Sequence, residues 1–236
     1  MGSRFDLTGK IAIVTGSEGD IGKAIVQGLE EQGAIVYGFD KKEGDDITRD
    51  AICEKVADIG NIHKHIDILV NNAGLGGFKW NRPFEHYPEY MWDEIIKVNL
   101  KAVYQLSKVV IKYMKEKGGS IINITSVWAE RGLPYNIAYG ASKGGLKQLS
   151  KCMAYELAQY NIRVNNIGFG YIKSGMTQKS WDDEDRRRFI ANLTMLKRWG
   201  FPEDVKGAVI FLASVASNYI TAQDIYIDGG RLAKGI

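Results

Sequence analysis

Three side chains in one short stretch could move a proton: the Ser126 hydroxyl, the Tyr139 phenol and the Lys143 amine. Positions i and i+4 of a helix share a face, so Tyr139 and Lys143 would stand one above the other. An ammonium group near a phenol favours the phenolate and lowers the phenol pKa from about 10. Tyr139 is therefore a candidate general acid/base. Each residue also has a structural interpretation, Ser126 as a turn or cap residue and the other two as an ordinary helix pair.

A glycine-rich segment near the start of the chain could place a nucleotide beside these residues. Lys10–Thr15 is a short apolar run typical of a buried strand, and it leads into residues 16–22, which contain three glycines. A helical pattern follows, and a second strand over Ala34–Phe39 ends at Asp40. Glycines let the backbone approach a pyrophosphate, and an acid after the second strand can accept ribose hydroxyls. This order predicts a dinucleotide-binding unit; the alternative is an ordinary βα turn with a surface acid.

Strands and helices continue to alternate along the chain. Further short apolar runs predict strands at Asp67–Asn71, Ser120–Thr125, Asn161–Ile167 and Asp224–Asp228. Between them, apolar residues recur at helical spacing. Repeated βα units predict a Rossmann-type, doubly wound parallel sheet in one α/β domain over residues 1–236. Ligands of such sheets bind beyond the carboxyl ends of the strands, where Asn71, Ser126 and residues 168–170 fall.

The composition is that of an ordinary globular protein, with 45% apolar and 25% charged residues. A net charge of +3, with basic and acidic residues interleaved, does not indicate a nucleic acid partner. No apolar run approaches the roughly 20 residues of a membrane span, so no membrane partner is predicted. Cys53 and Cys152 form no ligand pattern, so we predict no metal site, and a cytoplasmic location is the simplest.

Eight motifs along the whole chain resemble, in their order, those of the short-chain dehydrogenase/reductase family. They are Thr15-Gly16-x-x-x-x-Ile21-Gly22, Asp46-Ile47, Asn71-Asn72-Ala73-Gly74, Asn99, Ser126, Tyr139-x-x-x-Lys143, Arg163-Val164-Asn165 and Asp228-Gly229-Gly230. The resemblance implies an NAD(P)-dependent oxidoreductase of the EC 1.1.1 type, acting between a secondary alcohol and a ketone. It implies that Tyr139 exchanges a proton with the substrate oxygen and that Ser126 hydrogen-bonds this oxygen. Lys143 would lower the Tyr139 pKa and hold the nicotinamide ribose, and Asn99 would bind a water that completes a proton relay.

The resemblance also implies a cofactor site. Its expected contacts, in chain order, are Gly16, Ser17, Asp20, Ile21, Gly22, Asp40, Asp46, Ile47, Asn72, Ala73, Gly74, Tyr139, Lys143, Gly170, Ile172 and Ser174. Asp40 would accept ribose hydroxyls and repel a 2′-phosphate, whereas Lys41 and Lys42 would act in the other direction. We therefore predict NAD in preference to NADP.

Two departures from the family pattern concern the nucleotide half. Asp20 stands where the family usually has its middle glycine, and its charge would weaken pyrophosphate binding unless the carboxylate caps the following helix, which is the interpretation we favour. Only five residues separate Asp40 from Asp46, too few for the family's helix and third strand. We predict that this crossover helix is absent and that the third strand is shortened to a stub.

Three segments would build the substrate pocket: residues 75–82, the stretch between Ser126 and Tyr139, and a lid over about 174–200. The candidate substrate contacts are Trp80, Trp128, Asn136 and Trp181. Aromatic rings among polar groups suit a sugar, polyol or sugar acid as substrate. Tryptophan also suits a cyclic hydrophobe such as a steroid. Alternatively, Trp128 and Trp181 could be packing residues. The stretch Arg198–Asp204 slightly resembles gluconate- and deoxygluconate-type dehydrogenases.

The leading hypothesis is an NAD(H)-dependent oxidoreductase acting on a small-molecule alcohol or ketone. The helices over Leu100–Lys117 and Tyr139–Gln159 carry more apolar surface than one sheet face needs. In the family, such helices pair between subunits, which implies a homotetramer. Two other functions remain open. One is a catalytically weak NAD-binding regulator, supported by Asp20, and the other is a sugar-nucleotide epimerase or dehydratase, although such relatives are usually longer.

Overall fold

A computed structural model describes residues 3–76 and 81–234. Six parallel strands form one sheet in the order β2-β1-β3-β4-β5-β6. The strands are β1 (Ile11–Thr15), β2 (Ile35–Phe39), β3 (Ile68–Asn71), β4 (Gly119–Ser126), β5 (Ile162–Phe169) and β6 (Asp224–Ile227). The predicted single-domain α/β architecture with a parallel sheet is confirmed, and the predicted strands lie within two residues of the observed bounds.

Helices cover both faces of this sheet. They are α1 (Asp20–Glu31), α2 (Asp50–His63), α3 (Glu89–Ile96), α4 (Ala102–Met114), α5 (Ile137–Leu157), α6 (Gln178–Asp182), α7 (Glu184–Asn192) and α8 (Glu203–Ala213). One apolar core lies between the sheet and the pair α1 and α8. The other lies between the sheet and helices α2, α4 and α5. Among the described residues, no helix has the length and apolar character needed to cross a bilayer.

Strand β1 shows why the central strands are apolar throughout. Its side chains point alternately to the two faces, so Ala12 and Val14 enter one core while Ile11 and Ile13 enter the other. All five of its residues are buried. A strand covered on both faces needs apolar residues at every position, which explains the continuous apolar run in the sequence.

The connection between β2 and α2 is short. Asp40 leads into a single 3₁₀ turn over Lys41–Glu43, so the crossover helix is absent within this described segment, as predicted. The prediction of a shortened third strand was wrong, because no strand forms between β2 and α2. Instead, the Asp46 carboxylate accepts hydrogen bonds from the Thr48 backbone N–H (3.0 Å) and hydroxyl (2.7 Å), which folds this segment into a turn. Strand β2 therefore lies at the edge of the sheet, and Ile35 is 47% exposed there.

The strand order reverses beside β1. Strand β2 lies on one side of β1, and β3 to β6 follow in order on the other side. Crevices at such reversals are the usual ligand sites of parallel sheets. A cavity of about 490 Å³ lies at the carboxyl ends of the strands here. Its wall contains residues that follow β1, β2, β3, β4 and β5, so one site draws on most of the chain.

Candidate active site

The loop after β1 is shaped for the close approach of backbone groups. Gly16 has a φ of +68°, and a Cβ added to Gly22 would lie 1.9 Å from the Gly16 carbonyl oxygen, so glycine is required at both positions. The Asn72 side-chain amide donates to the carbonyls of Thr15 and Gly16, at 3.0 Å each. The Thr15 hydroxyl in turn accepts from the backbone N–H groups of Asn72 and Ala73, at 3.1 Å each. The loops after β1 and β3 thus support each other.

Asp20 does not cap the first helix. The N-cap of α1 is Gly19, which makes no side-chain cap, and Asp20 is the first helical residue. The Asp20 Oδ2 atom accepts a hydrogen bond from the Gly175 backbone N–H at 2.7 Å. The expectation that this carboxylate turns onto the helix start was therefore wrong. The Asp20–Gly175 hydrogen bond joins the glycine loop to the segment after β5. Both residues lie on the wall of the same cavity.

Asp40 stands at the opposite end of the cavity and is 9% exposed. Its two carboxylate oxygens accept from the backbone N–H groups of Glu18 (3.0 Å) and Lys42 (2.9 Å). The Lys42 ammonium donates to the Glu18 carbonyl at 3.1 Å, and the Lys41 ammonium lies 3.5 Å from the Asp46 carboxylate. Both lysines are therefore held by protein groups, while each Asp40 oxygen keeps further acceptor capacity.

Ser126, Tyr139 and Lys143 meet on the wall of this cavity. Ser126 ends β4, and its hydroxyl accepts from the Trp128 backbone N–H at 3.3 Å and hydrogen-bonds the Tyr139 phenol. Helix α5 carries Tyr139 and Lys143 on its buried face. The Lys143 ammonium donates to the Ile124 carbonyl at 2.7 Å and lies 5.8 Å from the centre of the Tyr139 ring. The structure thus brings together the hydroxyl, phenol and amine that the sequence singled out.

Burial governs the protonation of the two acid–base groups. It raises the pKa of Tyr139 above 10, against the hydrogen bond from Ser126, and the nearby Tyr171 adds to the rise. Burial lowers the pKa of Lys143 from 10.5 to about 8. The expected lowering of the Tyr139 pKa by Lys143 is therefore not seen in this structure, since the loss of water around the phenolate has the larger effect.

Asn99 lies in a π-helical segment, Lys97–Lys101, between α3 and α4. Its buried side-chain oxygen accepts from the Leu75 backbone N–H at 2.8 Å. Its side-chain nitrogen donates to the Leu75 carbonyl and to the Ser142 hydroxyl, both at 3.0 Å. Asn99 therefore joins the loop after β3 to helix α5 next to Lys143. Such π-helical turns occur frequently at functional sites.

Most of the expected cofactor contacts line the cavity. They are Gly16, Asp20, Ile21, Gly22, Asp40, Asp46, Ile47, Asn72, Ala73, Gly74, Tyr139, Lys143, Gly170, Ile172 and Ser174. Ser17 is not on this wall. It is buried against β2, where a Cβ added to Gly38 would lie 2.7 Å from the Ser17 Oγ atom. Ser17 therefore packs the loop onto the sheet, and Gly38 makes room for it.

The expected substrate contacts are separated in the structure. Trp128 lines the cavity beside Ser126. Asn136 is fully buried away from this wall, where its amide donates to the Gly76 carbonyl (2.7 Å) and accepts from the Tyr87 hydroxyl (3.2 Å). Asn136 thus holds the start of α5 to the loop after β3. The remaining candidate on that loop, Trp80, lies outside the described residues.

Trp181 belongs to an aromatic cluster in the expected lid rather than to the cavity wall. Its ring packs edge-to-face on Trp199, with 5.4 Å between ring centres, and on Phe201 at 5.8 Å. The cations of Lys173 (4.8 Å) and Arg187 (5.5 Å) lie over the same ring. These contacts give Trp181 a packing role, which was the alternative interpretation of this residue.

Tyr171 lines the cavity after β5 but was not among the predicted site residues, whereas Met176 and Thr177, which also line it, fall within the expected lid. The Thr177 hydroxyl donates to the Ile172 carbonyl at 2.6 Å and accepts from the Ser174 backbone N–H at 3.0 Å. This pair of bonds folds the start of the lid against the cavity. The position of Tyr171, directly after Gly170 at a strand end, was the signal that could have identified it.

Comparison with known proteins agrees with this geometry. The family model described as Enoyl-(Acyl carrier protein) reductase matches residues 16–231. The chain is also 35% identical over 254 residues to 5-keto-D-gluconate 5-reductase of Escherichia coli, with 98% of this chain and 99% of that protein covered. The chain belongs to the short-chain dehydrogenase/reductase family. It is an oxidoreductase.

Two further members of the short-chain dehydrogenase/reductase family are similar over nearly the whole chain. One is 2-dehydro-3-deoxy-D-gluconate 5-dehydrogenase of Formosa agariphila, 37% identical, with 97% of this chain and 95% of that protein covered. The other is a solved structure, a gluconate 5-dehydrogenase from Burkholderia cenocepacia in complex with NADP and tartrate. It has a TM-score of 0.90 and 31% identity, and 98% of each chain is covered.

The cavity of this short-chain dehydrogenase/reductase fits a nicotinamide dinucleotide. The loop from Gly16 to Gly22 leaves no space for side chains at Gly16 and Gly22 and exposes backbone to the cavity. Asp40 offers carboxylate oxygens at one end, and Lys143 offers an ammonium group at the other. Within residues 3–76 and 81–234, no group of three or more histidine, cysteine or acidic side chains could hold a metal ion.

Proposed function

We propose that this short-chain dehydrogenase/reductase interconverts a secondary alcohol and a ketone of a sugar-acid substrate with NAD(H). The observation that carries the proposal is the meeting of Ser126, Tyr139 and Lys143 on the wall of a cavity that also holds a glycine loop and Asp40. A phenol, a hydroxyl and an amine form a proton-transfer group at one end, and the other end suits an adenosine ribose.

In this proposal Tyr139 gives a proton to the ketone oxygen and takes it back from the alcohol. Ser126 donates a hydrogen bond to the same oxygen and holds it near the phenol. Lys143, whose pKa is lowered to about 8, is mostly protonated at pH 7 and stabilises the negative charge that forms on Tyr139. Asn99 positions the loop and helix beside Lys143 and holds the proposed relay water. When bound, the nicotinamide supplies the hydride exchange.

The test of the acid–base role is Tyr139→Phe, which removes the hydroxyl and keeps the ring. We expect kcat to fall by about 10²- to 10⁴-fold while NADH binding is retained, because general acid–base catalysis contributes this much. Turnover would be followed by NADH absorbance with 5-keto-D-gluconate and 2-dehydro-3-deoxy-D-gluconate, and binding by fluorescence titration. Activity near that of the wild type would contradict the assignment.

The proposed substrate class rests on two supports. Two relatives that are 35% and 37% identical carry names of enzymes for keto- or deoxygluconate substrates. The cavity wall combines the Trp128 ring with the polar groups of Ser126 and Tyr139, which suits a polar carbon chain with an apolar face. A panel that includes a steroid ketone and neutral polyols tests the class, and efficient turnover of the steroid alone would refute it.

We propose NAD in preference to NADP. The negative charge of Asp40 lies at the end of β2 and is fixed there by the backbone N–H groups of Glu18 and Lys42. A 2′-phosphate at this place would meet that charge, whereas ribose hydroxyls could donate to it. The Burkholderia cenocepacia structure contains NADP. The preference of this chain must therefore come from its own residues.

Steady-state rates with NADH and NADPH test this preference. We expect a lower Michaelis constant for NADH in the wild type and a loss of the preference in Asp40→Asn, which keeps the shape and removes the charge. Glu43→Gln is the matched control, because it removes an exposed acid of the same turn that does not line the cavity. A lower Michaelis constant for NADPH in the wild type would refute the proposal.

The regulator hypothesis has lost part of its support. It rested on an Asp20 charge aimed at the pyrophosphate, but this carboxylate accepts a hydrogen bond from Gly175. Tight NADH binding without turnover of any substrate would still favour a regulator.

A single domain with a lid over about 174–200 remains our proposal for how the substrate is enclosed.

We also propose a homotetramer in the cytoplasm. Helices α4 and α5 share a surface groove that Tyr104 (50% exposed) lines, and α5 also exposes Tyr155 (88%), which suits pairing between subunits. Cys53 and Cys152 are both free thiols, as is usual in a reducing compartment. Light scattering coupled to size exclusion tests the assembly. A monomer at micromolar concentration would contradict it.

A further inference from the structure

The chain after β6 folds into a tight turn that fixes the backbone of Arg231. The Asp228 carboxylate accepts from the backbone N–H groups of Gly230 and Leu232, both at 2.8 Å. The Arg131 guanidinium donates to the Leu232 carbonyl at 2.9 Å, so the residues on both sides of Arg231 are held. The Arg231 side chain therefore starts from a preorganised position.

The Arg231 guanidinium contacts two rings of the cavity wall. Its central carbon lies 5.1 Å from the ring centres of both Trp128 and Tyr171. Both rings line the cavity together with Ser126 and Tyr139. Cation–π contacts with two rings restrict the position of a guanidinium group. The ends of β4, β5 and β6 thus place one cation against two rings of the cavity wall, although Arg231 itself does not line the cavity.

The hydrogen-bonding capacity of Arg231 is unused among the described residues. The side chain is 9% exposed, and its Nε and Nη1 atoms are fully buried without an acceptor. Arg163 is equally buried but donates to the Ser217 hydroxyl and to the carbonyls of Leu212 and Ser214. A buried donor without a partner is costly, so an acceptor from a ligand is expected at Arg231 and not at Arg163.

The surroundings of Arg231 also favour an anion. Burial lowers the pKa of its guanidinium, and the positive charges of Arg131 and Arg186 lower it further. Tyr171 and Asp228 act in the opposite direction. Both carboxylate oxygens of Asp228, however, already accept backbone N–H groups of the turn. Among the described residues, neither Asp228 nor another acid forms an ion pair or a hydrogen bond with the Arg231 guanidinium, so it has no direct anionic partner.

We propose that Arg231 binds the carboxylate of the substrate and thereby selects sugar acids over neutral sugars and polyols. The inference rests on the proposed function. A guanidinium fork matches a carboxylate in two parallel hydrogen bonds. The fork uses either Nη1 with Nη2 or Nε with Nη2. Because Nε and Nη1 are buried, the carboxylate completes either pair only when the Trp128 or Tyr171 ring shifts, so binding changes the environment of a tryptophan.

The test compares an acid with a neutral polyol of the same carbon chain. Wild type, Arg231→Gln and Arg231→Lys are assayed with NAD⁺ on D-gluconate and on D-glucitol. We expect Arg231→Gln to raise the KM for D-gluconate about 10- to 100-fold, with a smaller change in kcat, and to leave kcat/KM for D-glucitol unchanged. Arg231→Lys keeps the charge and loses the fork, so its KM should be intermediate. Arg188→Gln is the charge-matched control, since Arg188 is exposed on α7 and pairs with Glu184.

Binding is measured separately by calorimetry, with D-gluconate titrated into enzyme that is loaded with NADH. If the wild type binds D-gluconate without turnover and Arg231→Gln does not bind it, the role of Arg231 stands and the proposed function fails. If the wild type oxidises D-gluconate and Arg231→Gln has the same KM, the role of Arg231 is refuted and the function stands. An equal loss of kcat/KM for D-gluconate and D-glucitol in Arg231→Gln would show a merely structural role. That result would also refute the proposed role of Arg231. If the wild type neither binds nor oxidises D-gluconate, both proposals are refuted.

Discussion

Replacement of Lys143 by methionine should stabilise the fold while it removes a group of the proposed proton-transfer site. Lys143 is buried, and its pKa falls from 10.5 to about 8. That difference of about 2.5 pKa units corresponds to about 3.4 kcal/mol at 1.36 kcal/mol per unit, which is the cost of charging the buried amine at pH 7. Methionine removes the charge at similar length but loses the hydrogen bond to the Ile124 carbonyl, worth about 1 kcal/mol. The free energy of unfolding should therefore rise by about 2 kcal/mol at pH 7.

The pH dependence fixes the sign of this effect. The folded pKa of Lys143 lies below its unfolded value, so between about pH 8 and 10.5 the unfolded chain binds more protons. The destabilisation of the wild type is complete below about pH 8 and is lost as the pH rises to 10.5. Urea unfolding of both proteins at pH 7 and pH 10.5 measures the difference. The variant should be more stable at pH 7 and less stable, by the hydrogen bond alone, at pH 10.5.

Lys206→Met provides the control for this experiment. Lys206 forms an ion pair with Glu203, which raises its pKa, so its loss should not stabilise the protein at pH 7. Activity with NADH should fall in Lys143→Met and persist in Lys206→Met. A Lys143→Met protein that is less stable than the wild type at pH 7 would refute the reasoning. It would show that the ammonium is solvated or paired in the folded state.

Two further changes probe the nucleotide half of the site. Gly22→Ala places a Cβ 1.9 Å from the Gly16 carbonyl oxygen. NADH affinity measured by fluorescence should therefore fall at least about tenfold, a loss of about 1.4 kcal/mol or more. In the control Gly19→Ala the added Cβ meets its nearest neighbour at 3.5 Å, so NADH affinity should be retained. Unchanged NADH binding in Gly22→Ala would mean that the loop moves freely. Asp20→Ala should speed hydrogen exchange at the Gly175 amide, because the amide loses its acceptor, and should strengthen NADH binding by removing a negative charge from the cavity wall. Exchange at the wild-type rate would show that the hydrogen bond does not hold the lid in solution.

Local patterns in the sequence were sufficient to predict the sheet and the residues of the proposed proton-transfer group. Each strand is an apolar run bounded by turn residues, and the spacing of Tyr139 and Lys143 follows from helix geometry alone. The glycine loop was recognisable because the close approach of Gly22 to Gly16 excludes side chains. These features depend on neighbours in the chain, which a single sequence displays directly.

Contacts between segments that are distant in the sequence account for most of the differences between the predictions and the structure. The Asp20 carboxylate bonds to an amide 155 positions away, so its local preference for capping a helix was not decisive. The pKa of Tyr139 follows from burial by several elements, which helical spacing does not report. Arg231 acquires its position from the ends of β4 and β5, and no motif marked it. The error at Asp46 was different, because a local turn with Thr48 replaced the expected strand.

The short connection after β2 has a consequence for the solution behaviour of the protein. It leaves β2 as a boundary strand, and the backbone donors and acceptors on its outer side can pair with an extended segment of another chain. Ile35 adds an exposed apolar side chain at the start of this strand, while Asp40 follows its end. A lysine at position 35 would therefore protect against strand addition and aggregation without altering the acid proposed to select the cofactor. Resistance to aggregation and choice of nucleotide are thus set at opposite ends of one five-residue strand.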